Sequence, residues 1–377
     1  MTIIIAAFMD GWGRVLRAPV ILLGVFLVTL LFVVPSGRVV KQSITDSLGN
    51  SLDAQTMVTG VNSEWWDRFG ETATGLDRTF APTIIGFGAV LQNLSRFLDN
   101  GAVSLTVAGL AAAYLLLWLF LIGGILDRYA RMRPIRTQAF FSACGVFFVR
   151  FLRLAVIGAL GYLFLFGVVH GWLFEHFYRW VTRDLTVERT AFVIRVVLYV
   201  VFLGLALFWN VVMDYAKIRA VVEDRRSMLG AMLAAWRFVV GHPMKAGGLY
   251  LLNGVGFLLA VALYALVAPG AAGGGSVAWA GFAIGQLYLL ARLAVKLAFY
   301  ASQTALFQRS LAHVAYTAAP EQVWPESPAA ETIVNAAPPR GALFWFIVDP
   351  CAHSHRPWPA GCAGMSTPQA PAALSWD

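Results

Sequence analysis

The sequence predicts an all-α, polytopic membrane bundle of about six transmembrane helices, with amphipathic helices at the membrane interface. Residues 105–126 contain no charged side chain and are long enough to cross a bilayer core as a helix, which takes about 20 apolar residues. The whole chain of 377 residues is 59% hydrophobic and 13% charged, and its mean hydropathy is +0.70. This composition leaves too little polar surface to cover a soluble protein of this size.

The same criterion identifies further spans on both sides of this segment. Arg14 and Arg17 precede the first apolar segment, as the charged region of a signal peptide precedes its apolar core. A signal peptide also ends in a cleavage site of small residues, and none follows this segment at Pro35. We therefore expect residues 1–34 to form an uncleaved anchor helix. The six predicted spans are about 18–34, 104–126, 154–174, 191–213, 246–268 and 277–298.

The rest of the chain divides into an outer loop, basic connections and a tail. Residues 35–103 are predicted to be an extracytoplasmic loop, in which residues 81–98 have apolar side chains at helical spacing and lie in the outer interface or re-enter the membrane. Residues 104–300 are predicted to form a five-helix membrane bundle. Residues 301–377 become rich in proline, which predicts a cytoplasmic and largely disordered tail.

The formal net charge of +8 is compatible with nucleic-acid binding or with orientation in a membrane. Arginines and lysines concentrate in residues 127–153 and 214–245, which fall on one side when six spans are counted. Because basic loops are retained in the cytoplasm, we expect a multi-pass membrane protein with both termini cytoplasmic. The expected partners are anionic lipids of the inner leaflet and, as a further candidate class, other membrane proteins, but not nucleic acid.

The basic connections supply candidate contacts to lipid headgroups. Residues 214–237 are predicted to form a helix along the inner leaflet, with arginines directed toward anionic lipid. The candidate headgroup contacts are Arg128, Arg131, Arg133, Arg136, Arg225 and Arg226.

Polar side chains at membrane depth are the best functional candidates, because burying them is costly. Asn210, Asn253 and Gln286 can hydrogen-bond between helices, which is their commoner role. Arg292 and Lys296 are four residues apart on one face of the sixth span. They can line a polar path, bind an anionic headgroup or extend to the cytoplasmic interface.

A second candidate cluster lies at the outer end of the third span. His170, Glu175 and His176 carry groups that can hold a metal or act on lipid, but no fourth ligand with a recognised spacing accompanies them. An interfacial role beside neighbouring tryptophans is the alternative. No nucleophile motif or phosphate-binding loop is found. The sequence therefore predicts no catalytic residue, no metal site and no cofactor.

Four segments carry a resemblance to known proteins: DYAKIRAVVEDRRS, AAWRFVVGHP, GFGAVLQNLSRFLDN and AHVAYTAAPEQVWPESPAAE. Over most of residues 10–333 the chain resembles a group of uncharacterised bacterial multi-pass inner-membrane proteins, which implies a membrane location and no particular activity. Its alternation of helix, basic helix and span is distantly similar, in architecture only, to membrane domains attached to glycerophosphodiester phosphodiesterases. The chain lacks the soluble domain and catalytic acids of those enzymes, so their activity is not expected.

These observations favour a structural, assembly or lipid-contacting component of the membrane that is not an enzyme. One alternative is a transporter or permease-like subunit, with Asn210, Gln286 and Arg292 lining the path. The other is a membrane-embedded lipid-modifying enzyme that uses the His170 cluster.

Overall fold

Helices form all the regular secondary structure in the residues that the structure, a computed structural model, describes: 2–49, 51–59, 62–80, 87–132, 136–268 and 275–313. Two π-helical turns, Leu165–Val169 and Trp172–Phe177, join α7 to α8 in one continuous rod. The helices are α1 (Thr2–Leu16), α2 (Pro19–Leu48), α3 (Asp53–Thr59), α4 (Ser63–Thr72), α5 (Phe87–Leu98), α6 (Leu105–Arg131), α7 (Thr137–Phe164), α8 (Tyr178–Thr182), α9 (Glu188–Val222), α10 (Met228–Gly241), α11 (Pro243–Val267) and α12 (Ser276–His313).

Six of these helical rods are long and apolar enough to span a membrane, and each overlaps one of the six predicted spans. The prediction of an all-α polytopic bundle is therefore confirmed, and the chain is a multi-pass membrane protein. The candidate spans are Pro19–Leu48, Leu105–Arg131, Thr137–Thr182, Glu188–Val222, Pro243–Val267 and Ser276–Leu311.

The predicted anchor over residues 1–34 contains a candidate span, but its helix bounds differ from the prediction in two ways. The helix is interrupted at Arg17 and Ala18, which separate α1 from α2. Pro19 is the first residue of α2, where its fixed φ and missing N–H favour the start of a new helix. At the other end, α2 continues through Pro35 to Leu48, so the outer loop begins later than position 35.

The segment 214–237 is also not the single surface helix that the sequence predicted. Its first part belongs to α9, which continues as a membrane helix to Val222. The chain then turns, with Asp224 in the left-handed region at φ 46°. The Ser227 hydroxyl caps α10 by accepting a hydrogen bond from the Gly230 N–H. Asp214 and Lys217 therefore lie inside the bundle.

Three predictions lie wholly or partly outside the described residues. The interfacial helix predicted over residues 81–98 is described from Phe87 to Leu98, where it is α5. The proline-rich tail beyond His313 and the candidate headgroup contact Arg133 are outside the described ranges.

Buried side chains concentrate in one half of the bundle. The largest apolar cluster combines residues 118–129 of α6, 211–221 of α9 and 293–307 of α12. The short helix α1 packs against α12 in this half. A Cβ on Gly11 would lie 2.5 Å from the Ser302 Cβ, so only glycine permits this close approach.

Candidate functional site

A cavity of about 610 Å³ lies within the bundle, between α2, α6, α9, α11 and α12. Its lining includes residues from the central turns of α6 and α11. The central turns of a membrane-spanning helix lie at the depth of the hydrocarbon core. We call this space the cationic cavity. Its polar lining consists of Thr29, Tyr114, Asn210, Asp214, Lys217, Tyr250, Arg292, Lys296 and Tyr300, and Trp118 contributes an indole ring.

One ion pair in the cavity is internal to α9. The Lys217 ammonium lies 2.7 Å from a carboxylate oxygen of Asp214, three residues earlier on the same helix face. Both side chains are largely buried, at 17% and 8% exposure. The Lys217 nitrogen also lies 5.7 Å from the centre of the Tyr300 ring. The two charges compensate each other, which allows them to lie at this depth.

The other two cations of the cavity come from α12 and have no such compensation. Arg292 and Lys296 are one helical turn apart, and neither forms an ion pair with any carboxylate in the described ranges. Their neighbours are aromatic faces. Lys296 Nζ lies 3.5 Å from the centre of the Trp118 ring, and the Arg292 guanidinium lies 5.6 Å from that of Tyr288. The described lining of the cavity therefore holds three cations and one carboxylate.

Neutral hydrogen-bond groups connect the cavity to the surrounding helices. The Tyr162 hydroxyl of α7 donates to the Asn210 side-chain oxygen at 3.3 Å, and the Asn210 amide nitrogen donates to the Tyr250 hydroxyl at 2.5 Å. On the opposite wall, the indole N–H of Trp118 donates to the Tyr300 hydroxyl at 3.3 Å. These bonds fix the orientation of the ring hydroxyls around the cations.

The structure brings together only two of the four intramembrane residues singled out from the sequence. Asn210 and Arg292 line the cavity. Asn253 instead donates to the Ser302 hydroxyl at 2.9 Å and so links α11 to α12. Gln286 is not among the residues that line the cavity, and its side-chain oxygen is buried with no hydrogen-bond partner within the described residues.

Sequence reasoning missed Asp214 and Lys217 as intramembrane groups. It assigned both to a surface helix because hydropathy falls at position 214. A usable signal was nonetheless present, because an acid and a base three residues apart on a helix can pair and thereby stay within a span.

The outer cluster predicted from His170, Glu175 and His176 is not assembled. The His170 Nε2–H donates to the Leu98 carbonyl at 2.8 Å, and its ring packs against Phe174 and Phe202. Glu175 and His176 are exposed, and no hydrogen bond or ion pair in the described part of the chain joins them to His170. The described residues also contain no group of three or more His, Cys, Asp or Glu side chains placed to hold a metal.

The five candidate headgroup arginines that the structure describes have different environments. Arg131 pairs with Asp127 at 2.7 Å, and Arg225 pairs with Glu223, so these two are partly neutralised within the protein. Arg136 and Arg226 are exposed. Arg128 lines a second, mostly apolar recess between α2, α6 and α7.

A separate polar contact holds α5 at the end of the bundle opposite the basic connections. The Tyr199 hydroxyl of α9 donates to Asp99, just beyond α5, at 2.5 Å, and the Ser95 hydroxyl donates to the second carboxylate oxygen at 2.9 Å. The hydrogen bond from Tyr199, followed by that from Ser95, lowers the pKa of Asp99 below its ordinary value.

The fold and the cavity together define a class: a multi-pass helical membrane protein with a cationic cavity between its spans. Comparisons of the chain with protein-family models, with curated proteins and with solved structures found no match. Its function is therefore inferred from the cavity itself.

Proposed function

We propose that this protein binds an anionic ligand in the cationic cavity and acts as a permease-like component of the bacterial inner membrane. The observation that carries the proposal is the lack of a carboxylate partner for Arg292 and Lys296 in the described residues. Charges at membrane depth normally pair, face water or mark a substrate path. A ligand with a carboxylate, phosphate or sulfonate group would compensate the two charges left over by the Asp214–Lys217 pair.

The remaining lining suits such a ligand. The volume of about 610 Å³ falls within the range of about 300–1,000 Å³ that is usual for small-molecule sites. Tyr250 and Tyr300 place hydroxyl groups at the wall, and the aromatic faces hold the two cations by cation–π attraction, which a stronger anionic partner can replace. We expect specificity from the few polar groups and affinity from the charges.

This proposal replaces the structural role that the sequence favoured. A structural role is best served by a dry interior packed with Gly and Leu, whereas this bundle encloses a cavity whose described lining includes three cations and one carboxylate. The lipid-modifying alternative depended on His170 and Glu175, whose side chains do not meet. We further propose that the basic helix ends face the cytoplasm, in accordance with the positive-inside pattern, which places both termini on that side.

Ligand-dependent stability tests the binding step. The protein in phosphatidylcholine nanodiscs is heated with phosphate, sulfate, succinate or benzoate, each as the potassium salt against potassium chloride at equal ionic strength. A ligand at 100 times its Kd adds about 2.7 kcal/mol to the free energy of unfolding, so at least one anion raises the midpoint of wild type. Lys296→Gln weakens binding of that anion at least tenfold, and Lys41→Gln, which removes an exposed lysine, leaves the binding unchanged.

Two results contradict the proposal. In the first, no anion of the panel stabilises the wild type more than it stabilises Lys296→Gln. In the second, an anion binds, but proteoliposomes containing wild type take it up no faster than empty liposomes. The second result rejects the permease-like activity while retaining the binding site.

A further inference from the structure

A second recess, between α2, α6 and α7, combines apolar walls with a cationic mouth. Its volume is about 310 Å³. Val28, Leu121 and Phe140 are among its apolar lining residues, whereas Arg17 and Arg128 lie at one end, beside the start of α2 and the last turn of α6. We call this recess the α2–α7 groove. It shares no lining residue with the cationic cavity.

Both arginines at the mouth are available to an external anion. Neither Arg17 nor Arg128 forms an ion pair or a side-chain hydrogen bond with any residue that the structure describes. Their neighbours behave differently, because Arg14 pairs with Asp10 and Arg131 pairs with Asp127. Arg17 is exposed and Arg128 is half-buried.

The amino end of α7 adds a second source of positive potential. Thr137, the first residue of α7, lines the groove. No side chain in the described ranges caps this helix, so its first N–H groups remain available. Unsatisfied N–H groups and the helix dipole favour a phosphate at this position.

The length of the apolar wall matches one leaflet of a bilayer. The α2 residues of the groove run from Pro19 to Val28, which at 1.5 Å per residue is about 14 Å. Half of a hydrocarbon core of about 30 Å is about 15 Å. Gly24 lies along this wall, and a Cβ there would meet nothing within 4 Å, so the space beside it is open.

We propose that the α2–α7 groove binds one anionic phospholipid, with the phosphate between Arg17 and Arg128 and an acyl chain along α2. Charge selects the headgroup at the mouth, and the apolar walls exclude a purely water-soluble phosphate as the preferred ligand. This inference uses residues different from those of the proposed anion permease, and either can fail without the other.

Native mass spectrometry of the full chain in detergent tests the groove. Phosphatidylglycerol and phosphatidylcholine with identical acyl chains are titrated separately. Wild type binds one phosphatidylglycerol at least tenfold more tightly than phosphatidylcholine. Arg17→Gln/Arg128→Gln reduces that preference to less than threefold, and Gly24→Leu, which fills the apolar wall, weakens binding of both lipids.

Matched variants separate the groove from general surface effects. Arg226→Gln/Arg237→Gln removes two exposed arginines that do not line the groove and leaves the lipid preference unchanged. Gly204→Leu, at another helical glycine with open space around its Cβ position, leaves the affinity unchanged.

Three results would overturn the proposal. The first is equal loss of preference in both double-arginine variants, which would indicate diffuse attraction to the surface. The second is displacement of phosphatidylglycerol by equimolar glycerol phosphate, which would identify a soluble anion as the ligand. The third is a wild-type dimer that Gly24→Leu dissociates without any change in lipid binding, which would identify a second copy of this chain as the occupant.

Discussion

Three arginines outside the cationic cavity differ from the two α12 cations that line it in one respect: each has a carboxylate partner. Arg14, Arg150 and Arg219 each reach a carboxylate within 3.1 Å. Arg292 and Lys296 reach only aromatic rings. These three arginines are compensated within the protein, whereas Arg292 and Lys296 leave compensation to a group outside the chain. We expect this difference to separate residues that stabilise the fold from residues that bind a ligand.

The side chain of Arg14, in the last turn of α1, has several hydrogen-bond partners. Besides its ion pair with Asp10, its guanidinium donates to the Tyr129 carbonyl at 2.7 Å and to the Gln308 side-chain oxygen at 2.9 Å. The Gln308 amide in turn donates to the Ala130 carbonyl at 2.9 Å. One side chain thus joins α1 to the ends of α6 and α12. A buried arginine with all these acceptors satisfied contributes to stability rather than binding.

The largest expected effect is therefore on stability, at Arg14. Arg14→Met keeps most of the side-chain volume but leaves the buried acceptors of α6 and α12 unpaired, which costs about 2–4 kcal/mol. Unfolding in denaturant, followed by tryptophan fluorescence in mixed micelles, measures the change. Arg292→Met is the matched control and changes the free energy of unfolding by less than about 0.5 kcal/mol, because no protein hydrogen bond is lost. Similar costs in the two variants would contradict the division between paired and unpaired charges.

The next effect is on anion binding, at Asp214. Asp214→Asn removes the only carboxylate of the described cavity lining and releases Lys217, so the cavity gains one positive charge. Affinity for a bound anion rises about tenfold, which corresponds to about 1.4 kcal/mol. Asp224→Asn removes a carboxylate that pairs with Arg150 outside the cavity and leaves anion affinity unchanged. Isothermal titration with the anion identified by thermal stabilisation measures both, and weaker binding to Asp214→Asn would show that the Asp214–Lys217 pair is structural only.

The sequence predicted the spans well but the charged cavity only in part, for a physical reason. Hydropathy reports the free energy of transferring each side chain into lipid without a partner. Apolar segments such as 105–126 were therefore recognised directly. The same measure placed the end of the fourth span at position 213. It could not include the mutual compensation of Asp214 and Lys217, which pair within α9 before that helix ends at Val222.

Tertiary packing accounts for the other differences between the residues predicted from the sequence and those that line the cavity. Asn210 and Arg292 were identified as polar groups at membrane depth, but which of the candidates share a cavity depends on how the helices pack. Gln286 and Asn253 lie on helices that also line the cavity, yet neither is one of its lining residues. The separation of α1 from α2 follows from Pro19, whose position was visible in the sequence, whereas the contact of Gly11 with Ser302 was not.

The smallest expected effect concerns Asp99, a paired charge that is exposed to solvent. Its contribution to stability should therefore be smaller than that of the buried Arg14. Its hydrogen bond from Tyr199 lowers the pKa of Asp99. A carboxyl whose pKa is depressed in the folded protein stabilises the fold above its ordinary pKa of about 3.9, and this contribution is lost as pH falls through the folded value. Attachment of α5 should therefore weaken only below about pH 4.

Hydrogen–deuterium exchange of residues 87–98, corrected for intrinsic rates, measures this attachment. In wild type, protection at pH 7 exceeds protection at pH 3 by a few-fold, because exposed hydrogen-bonded charges contribute little. Asp99→Asn has the lower protection at both pH values, whereas Asp184→Asn, at an exposed aspartate with no side-chain partner in the described chain, behaves as wild type. Equal protection of wild type at the two pH values would show that α5 is held by Phe97 and its aromatic neighbours Phe166 and Phe202 rather than by the carboxylate.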